Sequence, residues 1–150
     1  MSRAFMTTIT NMCMIYDGDK VLIQDRVNKK WGGITFPGGH VEKDESFTDA
    51  VIREVYEETG LRIEKPQLCG IKDWPEADGS RYIVLFYKTN HFSGELRSSD
   101  EGEVRWCSFE DLKTIKLAND MEDMLRVFLE DDLSEFFYYM EDGTWKYELK

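Results

Sequence analysis

Long apolar runs are missing from this 150-residue chain. No stretch approaches the roughly 18 consecutive apolar residues that a membrane-spanning helix needs. Residues 1–16 carry one early arginine and no apolar run ending in a small-residue cleavage site, so a secretory leader is not expected either. Cysteine is scarce: Cys13, Cys69 and Cys107 are odd in number and far apart. That spacing argues against a disulfide framework and against a zinc cluster, and points to three buried thiols in a reducing, cytoplasmic setting. Bases are short as well, with 19 Lys and Arg against 30 Asp and Glu and a net charge of −11. A protein that grips a nucleic acid polymer by its phosphates needs a basic surface, so that partner is disfavoured. A small phosphorylated ligand is compatible with the charge, provided bound cations reverse the local sign.

What is present suits one compact mixed α/β domain over residues 1–150. The apolar fraction is 41% and the charged fraction 33%, and the length allows a sizeable core. Thr7 to Tyr16 alternates as a strand, Asp17-Gly18 turns the chain, and Val21-Leu22-Ile23 continues a hairpin. Ile34-Thr35-Phe36 is a short apolar run that Pro37-Gly38-Gly39 interrupts. A helix is expected from Ser46 to Thr59, with Ser46 and Asp49 as a capping-box signal and Gly60 as its C-terminal cap. Strands are expected around Gln67–Asp73, Arg81–Lys88 and Val104–Trp106. A second helix is expected over Asn119–Glu130 with Asn119 as its cap. Phe136–Tyr139, Asp142-Gly143 and Thr144–Leu149 form a C-terminal hairpin, residues 134–150, rich in aromatics. Its aromatics suit packing on the domain, a homodimer contact or the rim of a pocket.

The first helix carries the chemistry. On a helical wheel Phe47, Ala50 and Val51 share one side, which one to two turns later bears Glu54, Glu57 and Glu58; Ile52, Val55 and Tyr56 form a second apolar side. Like charges at these spacings each cost about 0.2–0.5 kcal/mol even on an exposed helix. Beside a core they cost more unless a cation sits among them. Hard divalent ions such as Mg²⁺ take carboxylate oxygens and bridge to phosphates. Pro37-Gly38-Gly39 allows backbone to approach a ligand closely, and Arg53 can tie down Glu57 or Glu45. Spacing alone leaves an ordinary solvated acidic face as an equal reading.

The segment Gly39-His40-Val41-Glu42-Lys43-Asp44-Glu45, seven further residues, and Arg53-Glu54-Val55-Tyr56-Glu57-Glu58-Thr59-Gly60-Leu61 resembles the Nudix box, G-x₅-E-x₇-R-E-U-x-E-E-x-G-U with U a bulky aliphatic. Every specified position matches. The resemblance, to MutT-like Nudix hydrolases, implies an α/β/α sandwich with a mixed sheet. It also implies Mg²⁺, with Mn²⁺ as a substitute, acting in the cleavage of a nucleotide phosphoanhydride. It assigns Glu54, Glu57 and Glu58 to the divalent ions, with the Gly38 carbonyl as a further ligand and Glu54 as the base. Glu45 and Arg53 would position the helix. A later-loop carboxylate is expected from Asp100-Glu101-Gly102-Glu103, with Glu101 preferred narrowly to Glu103.

Three features are similar to enzymes that hydrolyse oxidised nucleoside triphosphates such as 8-oxo-dGTP. Arg26 ends the second strand and would contact substrate; Phe36 would lie by the base; Asn119 would read the purine. Each has a plain alternative: a solvated cation, a core aromatic, a helix cap. ADP-ribose is the rival substrate, on the strength of Pro75 beyond the box, and Trp74, Tyr82 and Arg81 could line a base pocket in either case. A nucleotide sensor that binds without cutting is the alternative from another class; the intact set of carboxylates speaks against it. His40 is a phosphate contact or a surface residue, and His91 is expected in a turn.

Overall fold

The computed structural model describes residues 2–28 and 30–150. An eight-stranded mixed sheet forms its frame. β1 (Thr7–Asp17) runs parallel to β6 (Arg81–Thr89), which pairs antiparallel with β5 (Gln67–Pro75). β9 (Glu135–Glu141) lies parallel to β5, and β10 (Thr144–Leu149) completes that edge as the second strand of a hairpin. On the other side β1 turns through Gly18-Asp19 into β2 (Lys20–Arg26), touching it only at Tyr16↔Val21 and Asp17↔Lys20. β2 then departs to pair with β3 (Gly33–Thr35) and β8 (Gly102–Ser108). The gap this leaves along β1 is filled by residues 37–41. Cys13 N–H donates to the Pro37 carbonyl at 2.9 Å, Asn11 N–H to the Gly39 carbonyl at 2.8 Å, and Val41 N–H to the Ile9 carbonyl at 3.0 Å.

Alternation along β1 builds two cores. Cys13 and Ile15 face one way, onto Leu22 of β2 and onto Val51 and Val55 of α1 (Phe47–Thr59). Met12 and Met14 face the other way, onto Met121, Met124, Val127 and Phe128 of α3 (Met121–Leu129). A strand with both faces apolar demands a layer on each side. The result is the α/β/α sandwich with a mixed sheet that the sequence implies. In the second core Phe128 stacks on Phe86 at 4.4 Å and meets Phe36 edge-on at 5.2 Å.

α1 starts and stops as its sequence dictates. Ser46 Oγ accepts the Asp49 N–H at 3.0 Å, and Gly60 takes φ 78° and donates to the Tyr56 carbonyl at 2.9 Å. Only part of its second apolar side is used. Val55 is fully buried, but Tyr56 is 36% exposed, its ring beneath the Arg62 guanidinium at 4.3 Å.

Several local expectations are corrected. Asn119 does not cap α3: the chain turns left-handed at Asp120 (φ 69°), whose carbonyl accepts the Met124 N–H and opens the helix without a side-chain cap. His91 is not in a turn but begins β7 (His91–Gly94), which pairs with β4 (Leu61–Glu64) in a separate two-stranded sheet beyond α1. Both strands are only four residues long, too short for alternation to announce them. The four-residue helix α2 (Phe109–Leu112) is likewise too short for periodicity to reveal. Cys13 is buried as expected, whereas Cys69 and Cys107 are half-buried, and all three are free thiols.

The junction of β5 and β9 is pH-sensitive. The Glu135 carboxyl is pushed up to about 7, first by its hydrogen bond to Asp73 and then by burial. Asp73 Oδ1 is buried without a donor, so a proton on Glu135 supplies the missing bond. The folded value exceeds the unfolded one near 4.5. The proton's contribution is therefore fully present below about pH 4.5 and lost as pH rises through about 7. Glu135→Gln keeps a donor at every pH, so thermal melts across this range should fall less steeply for the variant than for the wild type.

Candidate active site

Arg53 gathers the acids of α1. Its Nε and one terminal nitrogen grip Glu45 at 2.6 and 2.8 Å, and the other terminal nitrogen reaches Glu54 at 2.9 Å and Glu57 at 3.3 Å. It also donates to the His40 carbonyl at 3.1 Å. The bidentate bond to Arg53 holds the Glu45 carboxyl well below the usual range, and Glu45 in turn accepts the Glu42 N–H at 3.1 Å. Glu45, Arg53, Glu54 and Glu57 thus form one network that locks the box loop to the helix. Sequence spacing predicts the links from Arg53 to Glu45 and Glu57; the bond to Glu54 is additional.

Glu58 lies apart from this network and is 4% exposed. Its Oε2 accepts the Gly38 N–H at 2.8 Å and the Gln24 side-chain amide at 3.4 Å. Burial, only partly offset by the Gly38 bond, pushes its carboxyl up to about 7, and the charges of Glu54 and Glu101 add to the rise. Burial also raises Glu54, with Glu57 and Glu101 contributing and Arg53 opposing. Glu101 is therefore the later-loop carboxylate felt at both positions. Glu103 instead faces outward on β8 opposite Asp25.

Among the described residues no three acidic or thiol groups stand close enough to enclose an ion by themselves. Yet one buried and one half-buried carboxyl, both raised by burial, beside a third acid form a site short of positive charge. Such a set fits a hard divalent ion that keeps several waters and completes its shell with phosphate oxygens rather than with a closed protein cage. Glu54, Glu57, Glu58 and Glu101 are the groups that could hold it. For Gly38 the structure shows its N–H committed to Glu58.

Two glycines fix how closely the chain meets this site. A Cβ on Gly38 would lie 2.0 Å from the Asn11 carbonyl oxygen, and one on Gly39 would lie 2.3 Å from Glu54 Oε2. The first obstacle is backbone and cannot move; the second is the end of a side chain, which can shift at the expense of its bond to Arg53. Gly38→Ala is accordingly expected to lose more than about 2 kcal/mol of stability. Gly39→Ala should melt near the wild-type temperature while its displaced Glu54 lowers turnover. Thermal melts alongside rate assays separate the two, and equal melting losses would contradict this account.

Beside Gly38, Gly39 and His40 opens a cleft of about 700 Å³. Arg26, Phe36 and Asn119 all line it, so these three residues reach one place. Phe36 is also core, at 2% exposure, and Asn119 presents its carbonyl to Trp31 Nε1 at 2.9 Å. Trp74 and Tyr82 stack at 4.5 Å on the cleft wall, whereas Arg81 is paired with Asp73. The lining holds Arg26, Lys30 and Lys72 against the single acid Asp120. In a chain of net charge −11 this local excess of cations suits a phosphorylated ligand.

Sequence reasoning missed Asn11, Gln24 and Lys72. Asn11 Oδ1 accepts the Gly39 N–H at 3.0 Å, and its amide nitrogen is buried without a partner. Asn11 is a polar residue just before the apolar run Met12–Ile15, and that interruption was the available signal. Gln24 and Lys72 are each followed by an aspartate, so nothing local marked them as buried.

The family model for the NUDIX domain matches residues 6–128. The chain belongs to the Nudix hydrolase family. It is a hydrolase of pyrophosphate bonds. An uncharacterised Nudix hydrolase, YvcI, of Bacillus subtilis is 32% identical over 119 residues, covering 76% of this chain and 73% of the relative. A protein named ADP-ribose pyrophosphatase from Methanocaldococcus jannaschii is 31% identical over 119 residues, covering 77% and 69%. Among solved structures, the MutT mutator protein of Bacillus halodurans superposes with a TM-score of 0.76 at 28% identity, covering 95% of this chain and 97% of that one. The MutT Nudix hydrolase of Burkholderia pseudomallei gives 0.69 at 25% identity, covering 81% and 98%. No helix of this Nudix hydrolase among the described residues is long and apolar enough to cross a membrane.

Proposed function

We propose that this Nudix hydrolase is a Mg²⁺-dependent pyrophosphohydrolase that converts an oxidised purine deoxynucleoside triphosphate, 8-oxo-dGTP or a close analogue, to the monophosphate and pyrophosphate. One observation carries the reading: a cation-lined cleft with aromatic walls ends at Gly38-Gly39, and Gly39 abuts the Glu54 carboxylate. Stacking surfaces suit a base, and the glycine end suits the phosphates.

Bound Mg²⁺, held by Glu54, Glu57, Glu58 and Glu101, would neutralise phosphate charge and make a water more acidic. The chain's own groups do the rest. Glu54, raised by burial towards the range where a base works best, accepts a proton from the attacking water as the water oxygen bonds to phosphorus. The phosphoanhydride bond breaks and pyrophosphate leaves with its electrons. Arg26 and Lys30 stand on the cleft wall to meet the phosphate chain. Arg53 and Glu45 hold the helix against the box loop. Burial pushes the Glu58 carboxyl up to about 7, so a bound cation would favour its ionised form at neutral pH.

ADP-ribose is the second reading, favoured by the 31% identical relative that bears that activity in its name. The test is release of pyrophosphate and phosphate with Mg²⁺ from 8-oxo-dGTP, dGTP, the other dNTPs, ADP-ribose and NADH. Preference for 8-oxo-dGTP with pyrophosphate as product is expected. Preference for ADP-ribose would transfer the assignment to the second reading.

A further inference from the structure

Lys72 stands where a lysine is costly. It is 8% exposed in β5, and its Nζ is ringed by Trp31, Trp74, Phe136 and Tyr138 at 5.2–5.9 Å from the ring centres. Such rings attract a cation, but they do not accept three N–H bonds. Among the described residues its hydrogen bond goes to the Met124 thioether sulfur at 3.6 Å, and the nearest carboxylate oxygen, on Asp120, is 4.0 Å away. Burial holds its pKa below the usual lysine range, with Asp120 opposing. A buried ammonium with only a soft sulfur acceptor, on the wall of the cleft, lacks a partner that a ligand would supply.

Asp120 is prepared beside it. Its backbone is left-handed at φ 69°, a conformation a non-glycine residue keeps at a cost. Tyr138 donates its hydroxyl to Asp120 Oδ2, and the Asn119 amide reaches the same oxygen at 3.3 Å. Tyr138 belongs to β9, beyond residue 128 where the family match ends. The pair also lies at a suitable distance from the hydrolytic end. Lys72, Val84, Thr10 and His40 are register partners on successive strands. Three strand spacings separate Lys72 from His40, about 14 Å, which suits a base at one end and its phosphates at the other.

Resting on the reading of this chain as a nucleotide pyrophosphohydrolase, we propose that Lys72 and Asp120 together read the edge of a guanine base. Lys72 Nζ donates to O6, and the Asp120 carboxylate accepts from N1–H and the 2-amino group. Tyr138 is a positioning residue that holds that carboxylate. Guanine alone places a carbonyl, a ring N–H and an amino group in a row, and so makes three charge-assisted bonds to the pair. Hypoxanthine lacks the amino group and makes two. Adenine offers a weaker ring-nitrogen acceptor to the ammonium and one amino group to the carboxylate. Trp31 and Trp74 supply stacking that does not discriminate.

The test is metal-free titration of GMP, IMP and AMP, followed by tryptophan fluorescence, with the wild type, Lys72→Met and Tyr138→Phe. The wild type should bind GMP at least about tenfold more tightly than AMP, with IMP between. Lys72→Met should melt no lower than the wild type and bind GMP no better than AMP. Tyr138→Phe should weaken GMP more than AMP. A wild type that binds AMP as tightly as GMP overturns the proposal whatever the variants do, as does a folded Lys72→Met that keeps the preference. An unchanged ranking in Tyr138→Phe overturns the positioning role. Pyrophosphate release is scored separately. GMP preference without hydrolysis of any triphosphate would uphold the base reader and overturn the hydrolytic reading, and hydrolysis with AMP preferred would do the reverse.

Discussion

Glu57→Gln is expected to lower turnover by about 10²–10⁴-fold while leaving the melting temperature where it was. The two halves of that result have separate origins. Glu57 is 56% exposed at its side chain, and its recorded ion pair is with Arg53 at 3.3 Å. Exposed pairs of this kind contribute about 0–1 kcal/mol, and Arg53 keeps its shorter bonds to Glu45 and Glu54. Structure therefore gives Glu57 almost no reason to be acidic. Its negative charge also adds to the rise at Glu54, which only a cation in the site would relieve. Steady-state rates over a Mg²⁺ series, with thermal melts of both proteins, test the pair of expectations. Wild-type turnover at saturating Mg²⁺ would remove Glu57 from the metal-holding set.

Glu58→Gln is expected to abolish turnover and, in metal-free protein at pH 8, to raise stability. At that pH the wild type carries a carboxylate where burial pushes the group up to about 7 from an ordinary 4.5, a cost of about 1–3 kcal/mol. Glutamine removes the charge and keeps an acceptor for the Gly38 N–H, so the loop stays tied to the helix. The melting temperature should rise by about 2–10 °C. Saturating Mg²⁺ should stabilise the wild type and leave the variant nearly unchanged, because binding to the native state raises stability by mass action. A variant that melts lower without metal would mean that the Glu58 charge is already compensated within the fold.

The contrast between these two glutamates shows what the sequence could convey. The box places Glu54, Glu57 and Glu58 on one helix, and capping at Ser46 and Gly60 fixes its ends; both are local and both were legible. That Glu57 is exposed while Glu58 is buried against Gly38 depends on how residues 37–41 lie along β1, a contact between segments about twenty residues apart. The reading of Asn119 as a cap failed for a related reason. Local preference favours asparagine at a helix start, but the pull of Tyr138 on Asp120 comes from a strand that joins the sheet later. Asn11 was visible only as a polar interruption before the run Met12–Ile15, and Lys72, followed by Asp73, not even as that. Such an interruption marks a buried polar group without saying what it meets. Sequence alone gives only a narrow preference for Glu101 over Glu103; it is pairing with β2 that turns Glu103 outward and leaves Glu101 in the loop.

The row from Phe136 through Lys72, Val84 and Thr10 to His40 makes the sheet a ruler. Its graduations are whole strands of about 4.8 Å, and hydrogen bonding forbids fractions. The distance between the lysine and the hydrolytic helix therefore cannot drift through small adjustments, as a loop-built site can. Adapting this frame to a longer or shorter ligand means changing which rung carries the reading side chain. Val84, one rung nearer His40, is where a shorter ligand would have to be met.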